Sequence, residues 1–475
     1  MNTFASLIPL LIVVGGALLL LLLEAFIKRE KKDYLGYLSI LVLFACGFFV
    51  IRAWNQNLSY FDGKLLFDNV GLFFILLLLI TTALVILISL KYITLQNVNK
   101  GEFYPLLLLA LSGMMMMVTS SDLLIIFLGL EVLSMSSYAL AGIKINDPKS
   151  SEAAVKYFLL GSFASAFIVF GLAFLYGSVQ GTDIGSVIAG LSVSTSSLLT
   201  IVGLSFIVIG FGFKIAVVPF HMWTPDVYEG SPTPVTAFFS VGPKAVGFAV
   251  LLRLFLPYWQ SAADSAVMHN ILWVIAVLTM VVGNLIALRQ TNVKRIMAYS
   301  SIAHAGYLLV AILARDGSSL LYYLTVYMFM NIGAFAAIIA LAKKDKEYLE
   351  LKDYAGIGFK YPWIGATFAV FLVSLAGFPP TGGFLAKFYI FSAAVREDMI
   401  PLVIIAVLAS LISVYYYLRI IIYMYMKPAD RVVDIHVENP SLFFVLFLCL
   451  YGVFQLGIYP GNVLIFIKQA IASLL

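Results

Sequence analysis

Four ionisable residues stand inside runs that are otherwise apolar. Lys214 lies in GFGFKIAVV, Lys244 in FFSVGPKAVGF, Lys387 in GGFLAKFYIF and Glu131 in IIFLGLEVLSM. A charge inside a membrane-spanning segment is expensive unless it is paired or hydrated, so function is its default reading. Burial disfavours the charged form of a lysine, and a nearby carboxylate favours it. A lysine whose distance to a glutamate changes is therefore a proton carrier of switchable affinity. On that chemistry Glu131 and Lys214 form the pair, Lys244 is a relay and Lys387 is the terminal exchange site. The competing reading is a set of structural charges that fix helix packing; four such residues, two of them beside helix breaks, weigh against it.

The breaks come from proline and glycine. Pro219 interrupts the run that carries Lys214, and Gly377, Pro379, Pro380, Gly382 and Gly383 interrupt the run that carries Lys387. Backbone that leaves the helix at membrane depth is tolerated only where protein or a water-filled cavity satisfies it. Each break thus places a lysine beside a hydrated path. His221 follows the first break and His304 lies in SSIAHAGYLL after Ser300 and Ser301; both are candidates for passing protons along. His269 and His436 fall in loops and read as solvated. Asp226 and Glu229 sit in a turn with Pro225, Pro232 and Pro234, where capping or loop rigidity is the better account. The Met114–Met117 run reads as packing or lipid-facing filler, and Tyr415–Tyr417 as packing or interface aromatics.

The elements that position these residues follow from composition. The chain of 475 residues is 62% hydrophobic and 11% charged, with a mean hydropathy of +1.04. That is a polytopic membrane protein, since a soluble core cannot absorb so much apolar surface. With about 20 apolar residues needed per crossing, the sequence predicts fourteen spans: 7–27, 34–53, 70–92, 104–118, 123–143, 153–176, 198–220, 233–255, 271–288, 296–313, 320–342, 361–395, 400–426 and 441–458. The first run reads as a retained helix, and the tail after 463 as too short to cross. Of the 29 lysines and arginines, twenty fall on one set of loops and helix ends and six on the other; Lys214, Lys244 and Lys387 are left inside the spans. The positive-inside rule makes the richer set cytoplasmic and puts both termini outside. The net charge of +5 then reflects topology, and no nucleic-acid partner is indicated. Cys46 and Cys449 stand alone in apolar runs and read as buried hydrophobes. No phosphate loop, cofactor fingerprint or metal-ligand cluster appears.

The strings FKIAVVPFHMWTPDVYEGSPTPV, LEVLSMSSYAL, NVKRIMAYSSIAHAGYLL and LAGFPPTGGFLAKFYIF closely resemble the antiporter-like membrane subunits of proton-pumping NADH-quinone oxidoreductase, respiratory complex I. The likeness covers essentially the whole chain. Lys387, where one branch typically has glutamate, and the lack of a long lateral helix after 458 point to the subunit N branch. The resemblance implies an all-α polytopic fold of about fourteen helices, with two inverted-topology five-helix repeats in which helices 7 and 12 are broken. The implied divisions are 1–103 for three N-terminal helices, 104–257 and 258–427 for the repeats, and 428–475 for helix 14 and the tail. It assigns proton translocation to Glu131, Lys214, Lys244 and Lys387, with His304 a further candidate. NAD, FMN, iron–sulfur clusters and quinone are expected in other subunits, with none held by this chain. Expected partners are the neighbouring antiporter-like and small membrane subunits and the lipid bilayer of a bacterial inner membrane. The runner-up is a subunit of a multisubunit cation/proton antiporter or of a membrane-bound hydrogenase; a sodium site would want several converging oxygen ligands, and only Glu131 offers a carboxylate at mid-depth.

Overall fold

The computed structural model describes residues 7–27, 32–98, 101–193, 198–261, 266–428 and 439–474. Lys28, Arg29, Lys31, Lys100 and Arg431 of the charge asymmetry, and His436, lie outside them. In chain order the elements are α1 (Ile8–Phe26), α2 (Asp33–Ala53), the hairpin β1 (Leu58–Tyr60) and β2 (Leu65–Phe67), α3 (Asn69–Leu95), α4 (Phe103–Thr119), α5 (Leu123–Ala141) and α6 (Pro148–Val179). There follow α7 (Ile184–Val193), α8 (Leu198–Ile215), α9 (Trp223–Gly230), α10 (Thr233–Ser261), α11 (Ala266–Ala287), α12 (Val293–Leu313) and α13 (Gly317–Ala340). The chain closes with a 3-10 turn (Leu351–Tyr354), α14 (Ile357–Lys360), α15 (Pro362–Ala376), α16 (Gly382–Arg396), α17 (Ile400–Met426), α18 (Pro440–Ile458) and α19 (Gly461–Ala472).

The fold is all-α and polytopic. Among the described residues twelve helices are long and apolar enough to cross a membrane. The two further crossings of the sequence reading fall on the shorter apolar α4 and on the pair α15 and α16. The hairpin and the short helices α7 and α9 had no signal in the hydropathy pattern. In the hairpin, Tyr60 pairs with Leu65 across a turn through Phe61, Asp62 and Gly63, all at positive φ.

Helix starts are fixed by polar side chains that accept the otherwise orphaned N–H groups of the first turn. Asp68, Asp122, Asp147, Asn292, Asp316 and Asn439 cap α3, α5, α6, α12, α13 and α18. Burial then sorts the bundle. Helices α10 and α12 are enclosed on all sides and α13 nearly so, whereas α1, α6 and α17 keep one apolar face outward. A helix that is apolar all round belongs in the interior, and these three form the central layer. Met114, Met115 and Met117 are buried, so that run is packing.

Both breaks are built alike. At the end of α8 the Val217 N–H bonds to Gly212 O at 2.9 Å and the Ala216 N–H to Phe213 O at 3.1 Å. At the end of α15 the Phe378 N–H bonds to Val373 O at 3.2 Å and the Gly377 N–H to Ser374 O at 3.0 Å. This paired bonding is the Schellman arrangement, which requires a left-handed residue just past the helix. Gly377 supplies it at φ 92°, and Ala216 does so at φ 62°. A cis peptide follows in each linker, Val218–Pro219 and Pro379–Pro380.

Candidate functional site

Lys214 stands in the last turn of α8 and is 4% exposed. Its ammonium donates to Ser134 Oγ of α5 at 2.9 Å and, at 3.4 Å, to the Tyr157 hydroxyl of α6. The same nitrogen faces the rings of Tyr157 and Tyr138, 5.3 Å and 5.9 Å from their centroids, and aromatic faces attract a desolvated cation. Ser134 follows Glu131 by one turn of α5, so the two share a helix face. Glu131 is half-buried and accepts the Ser165 hydroxyl of α6 at 2.5 Å. Among the described residues no ion pair joins Glu131 to Lys214. The carboxylate stands one turn from the lysine's hydroxyl partner.

Lys244, in the middle of α10, is 2% exposed. Its ammonium donates to both oxygens of Ser301 on α12, to the hydroxyl at 2.6 Å and to the carbonyl. Ser301 Oγ also accepts the Tyr327 hydroxyl of α13 at 2.9 Å and meets the Tyr228 hydroxyl at 3.4 Å. One turn on, His304 Nδ1 lies 2.6 Å from the Tyr323 hydroxyl and Nε2 lies 3.3 Å from that of Tyr417. Tyr417 in turn bonds to Ser300. Its neighbour Tyr416 donates to Asn284 Oδ1 at 2.9 Å, and Asn284 Nδ2 reaches the Tyr307 hydroxyl at 3.2 Å.

Lys387, on α16, is 5% exposed and reaches back across the second break. It donates to Leu375 O at 3.0 Å, Ala376 O at 2.9 Å and Ser410 Oγ of α17 at 2.9 Å, with the Tyr307 ring centroid 5.2 Å away. The two carbonyls belong to the last turn of α15, where no later N–H of the helix can reach them and where the helix dipole is negative. A Cβ on Gly377 would meet the lysine's Cδ at 3.0 Å, so the glycine leaves the side chain its room.

The structure thus sets each of Lys244, His304 and Lys387 among hydroxyl groups: Ser301 beside Lys244, Tyr323 and Tyr417 beside His304, and Ser410 beside Lys387. Lys214 is set apart from them by aromatic rings. Tyr157 stacks on Trp223 at 4.5 Å, and Trp223 meets Tyr228 at 6.5 Å, the ring whose hydroxyl touches Ser301. His221, half-buried in the first linker, leaves Nδ1 without a partner among the described residues. His269 lies in the first turn of α11 with the Trp259 ring 5.9 Å away, so a loop position is corrected to a packed one.

Other buried charges were not foreseen. Arg253 holds both oxygens of Asp68 at 2.8 Å and 2.6 Å and the Val118 carbonyl at 3.0 Å. Lys294 is wholly buried and donates to Ser231 O at 2.6 Å. Asp226 and Glu229, read as capping or rigidity residues of a turn, lie instead on the helix α9 and are partly exposed: Asp226 binds Lys156 at 2.6 Å and Arg295 at 2.7 Å, and Glu229 binds Lys149 at 2.7 Å and Arg295 at 3.1 Å. Among the described residues no three His, Cys, Asp or Glu side chains converge as metal ligands would.

Residues 120–413 match the family described as NADH:quinone oxidoreductase/Mrp antiporter, TM. The chain is 46% identical over 456 residues to NADH-quinone oxidoreductase subunit N of Trichlorobacter lovleyi, covering 95% of this chain and 93% of the relative. Among solved structures it superposes on a chain of respiratory complex I from Thermus thermophilus with a TM-score of 0.83 and 32% identity, over 96% of this chain and 98% of that one. A chain of the archaeal membrane-bound sulfane sulfur reductase shares the fold with a TM-score of 0.87 at 23% identity, covering 100% and 98%.

Proposed function

The chain belongs to the family of NADH-quinone oxidoreductase subunit N, and on that premise we propose that protons cross it through Glu131, Lys214, Lys244 and Lys387. It is a proton-translocating membrane-arm subunit and works among other membrane subunits of a multisubunit complex. The observation that supports the relay is that three lysines, each 5% exposed or less, keep their ammonium groups on hydroxyls or carbonyls of a neighbouring helix. A polar acceptor beside each carrier is what a Grotthuss-type transfer between side chains and water needs.

In this reading Glu131 tunes Lys214, and the proton released there is taken up by water and passes around the Tyr157, Trp223 and Tyr228 rings to Lys244. His304 and the tyrosines around it carry it on to Lys387, which exchanges with the outer side. His221 is a side branch at the first break. The loops rich in lysine and arginine face the cytoplasm, with both termini outside a bacterial inner membrane. The divisions 1–103, 104–257, 258–427 and 428–475 belong to the same reading, supported by one Schellman-capped break in each central part. NAD, FMN, iron–sulfur clusters and quinone sit in other subunits, and the lateral partners are antiporter-like and small membrane subunits.

The test is Lys214→Ala in membranes where the complex still assembles, with NADH-driven quinone reduction and proton pumping recorded together. Loss of pumping is the expected result, with or without loss of turnover. Normal turnover with normal pumping would reduce Lys214 to a packing charge.

A further inference from the structure

Lys294 has no part in the relay just described, although it is as deeply buried as any lysine among the described residues, with a side chain 0% exposed. It is the second residue of α12, immediately inside the Asn292 cap. Its ammonium donates to the Ser231 carbonyl just past α9 and lies 3.8 Å from Glu347 Oε2. Glu347 comes from the connection after α13 and is 14% exposed, so one carboxylate touches both the surface and the buried ammonium. Its other oxygen accepts the Tyr92 hydroxyl of α3 at 2.7 Å and the Thr233 hydroxyl of α10. Lys144, from the connection between α5 and α6, faces the Tyr92 ring at 5.7 Å. Burial by itself would raise the Glu347 carboxyl, but Lys294 and Lys144, together with the Thr233 and Tyr92 hydroxyls, hold it below the ordinary carboxylate range. It is therefore a standing negative charge, which draws protons toward the amine behind it.

The helix that carries Lys294 leads straight to the relay. Ser301 follows by seven residues, two turns along the same face and roughly 10 Å deeper. Ser301 is the acceptor of Lys244, and His304 lies one turn further. Beside this line the Tyr228 hydroxyl meets Ser301 Oγ, and the buried Ser231 Oγ has no protein partner among the described residues. A buried hydroxyl in that position calls for an internal water.

We propose that Lys294, with Glu347 as its counter-ion, takes up protons on the side where the cation-rich loops lie and passes them along α12 to Ser301 and Lys244. Each transfer moves one proton. An N–H bond of the ammonium breaks as an O–H bond forms on intervening water or hydroxyl, and the amine regains its proton from water at the surface beside Glu347. The inference rests on the reading that Lys244 carries protons.

Lys294→Arg separates a carrier from a strut. Arginine keeps the charge and the ion pair but stays protonated throughout the working pH range. In inverted vesicles holding the intact complex, Lys294→Arg is expected to lose proton pumping per NADH oxidised as far as Lys244→Ala does. Native pumping by Lys294→Arg beside a loss in Lys244→Ala overturns the inference and leaves the relay standing; native pumping by both removes the relay as well. Should arginine prevent assembly, the neutral pair Lys294→Met with Glu347→Gln is measured. The same loss supports the inference, and native pumping overturns it.

Discussion

The two breaks share a cap, a cis proline and a lysine, yet they hold the lysine differently. Lys214 precedes its break and relies on one short hydroxyl contact, one long one and two ring faces. Lys387 follows its break and reaches back to two carbonyls of α15 and to a serine, so each of its three N–H groups has an acceptor. The first site holds a cation loosely; the second is built around one. On the proposed relay, the first setting suits a carrier that must let go, and the second a site where charge waits for exchange with the outside.

That contrast can be broken most directly through stability. Lys387→Met would orphan the Leu375 and Ala376 carbonyls, at about 1–3 kcal/mol each, for a loss of roughly 2–6 kcal/mol. Lys214→Met leaves Ser134 with its own bond to Leu130 O at 2.6 Å, and a loss below about 1 kcal/mol is expected. Thermal release of the subunit from the purified complex measures both, and equal losses would erase the distinction.

The serines sharpen it. Ser134→Ala removes the principal acceptor of Lys214, and a hydrogen bond to a charged group contributes about 1.5–3 kcal/mol. Pumping-linked turnover should drop by about tenfold or more. Ser410→Ala leaves Lys387 its two carbonyls, and turnover should stay within about threefold. The reverse order would mean that Lys214 depends on something other than Ser134.

The smallest effects come from the caps and should have opposite signs. Ala216→Gly relieves a left-handed alanine and should stabilise by up to about 1 kcal/mol. Gly377→Ala creates the same strain, about 1–2 kcal/mol, and also presses on Lys387. Melting curves of the two variants settle the sign.

Much of the site was legible because hydropathy makes an interior charge conspicuous. Lys214, Lys244, Lys387 and Glu131 interrupt apolar runs, and Pro219, Pro379 and Pro380 announce where the helices stop. What those lysines touch was not legible. Ser134 and Ser410 look like small helix-packing residues, Ser301 stands out only as a polar neighbour of His304, and the acceptors of Lys387 include backbone carbonyls, which no residue type reveals. Tyr416 and Tyr417 read as packing or interface aromatics; they are buried, and their hydroxyls also bond to Asn284 and His304, which the sequence does not reveal. Lys294 was hidden for another reason. It sits beside Arg295 at a helix start, so the local sequence reads as a cationic loop end, and its burial comes from Ser231 and Glu347, both more than fifty residues away.

Those adjacent residues at the start of α12 carry a mechanical consequence. Successive side chains on a helix point about 100° apart. Lys294 is tied on one flank to Ser231 and Glu347, and Arg295 on another to Asp226 and Glu229. Any turn of α12 about its own axis would have to tear one set to relax the other. The helix is thus a stator at the centre of the bundle. Movements that would open or shut the proposed route then fall to the parts outside it: the lysine side chains, the rings between them and the two interrupted helices.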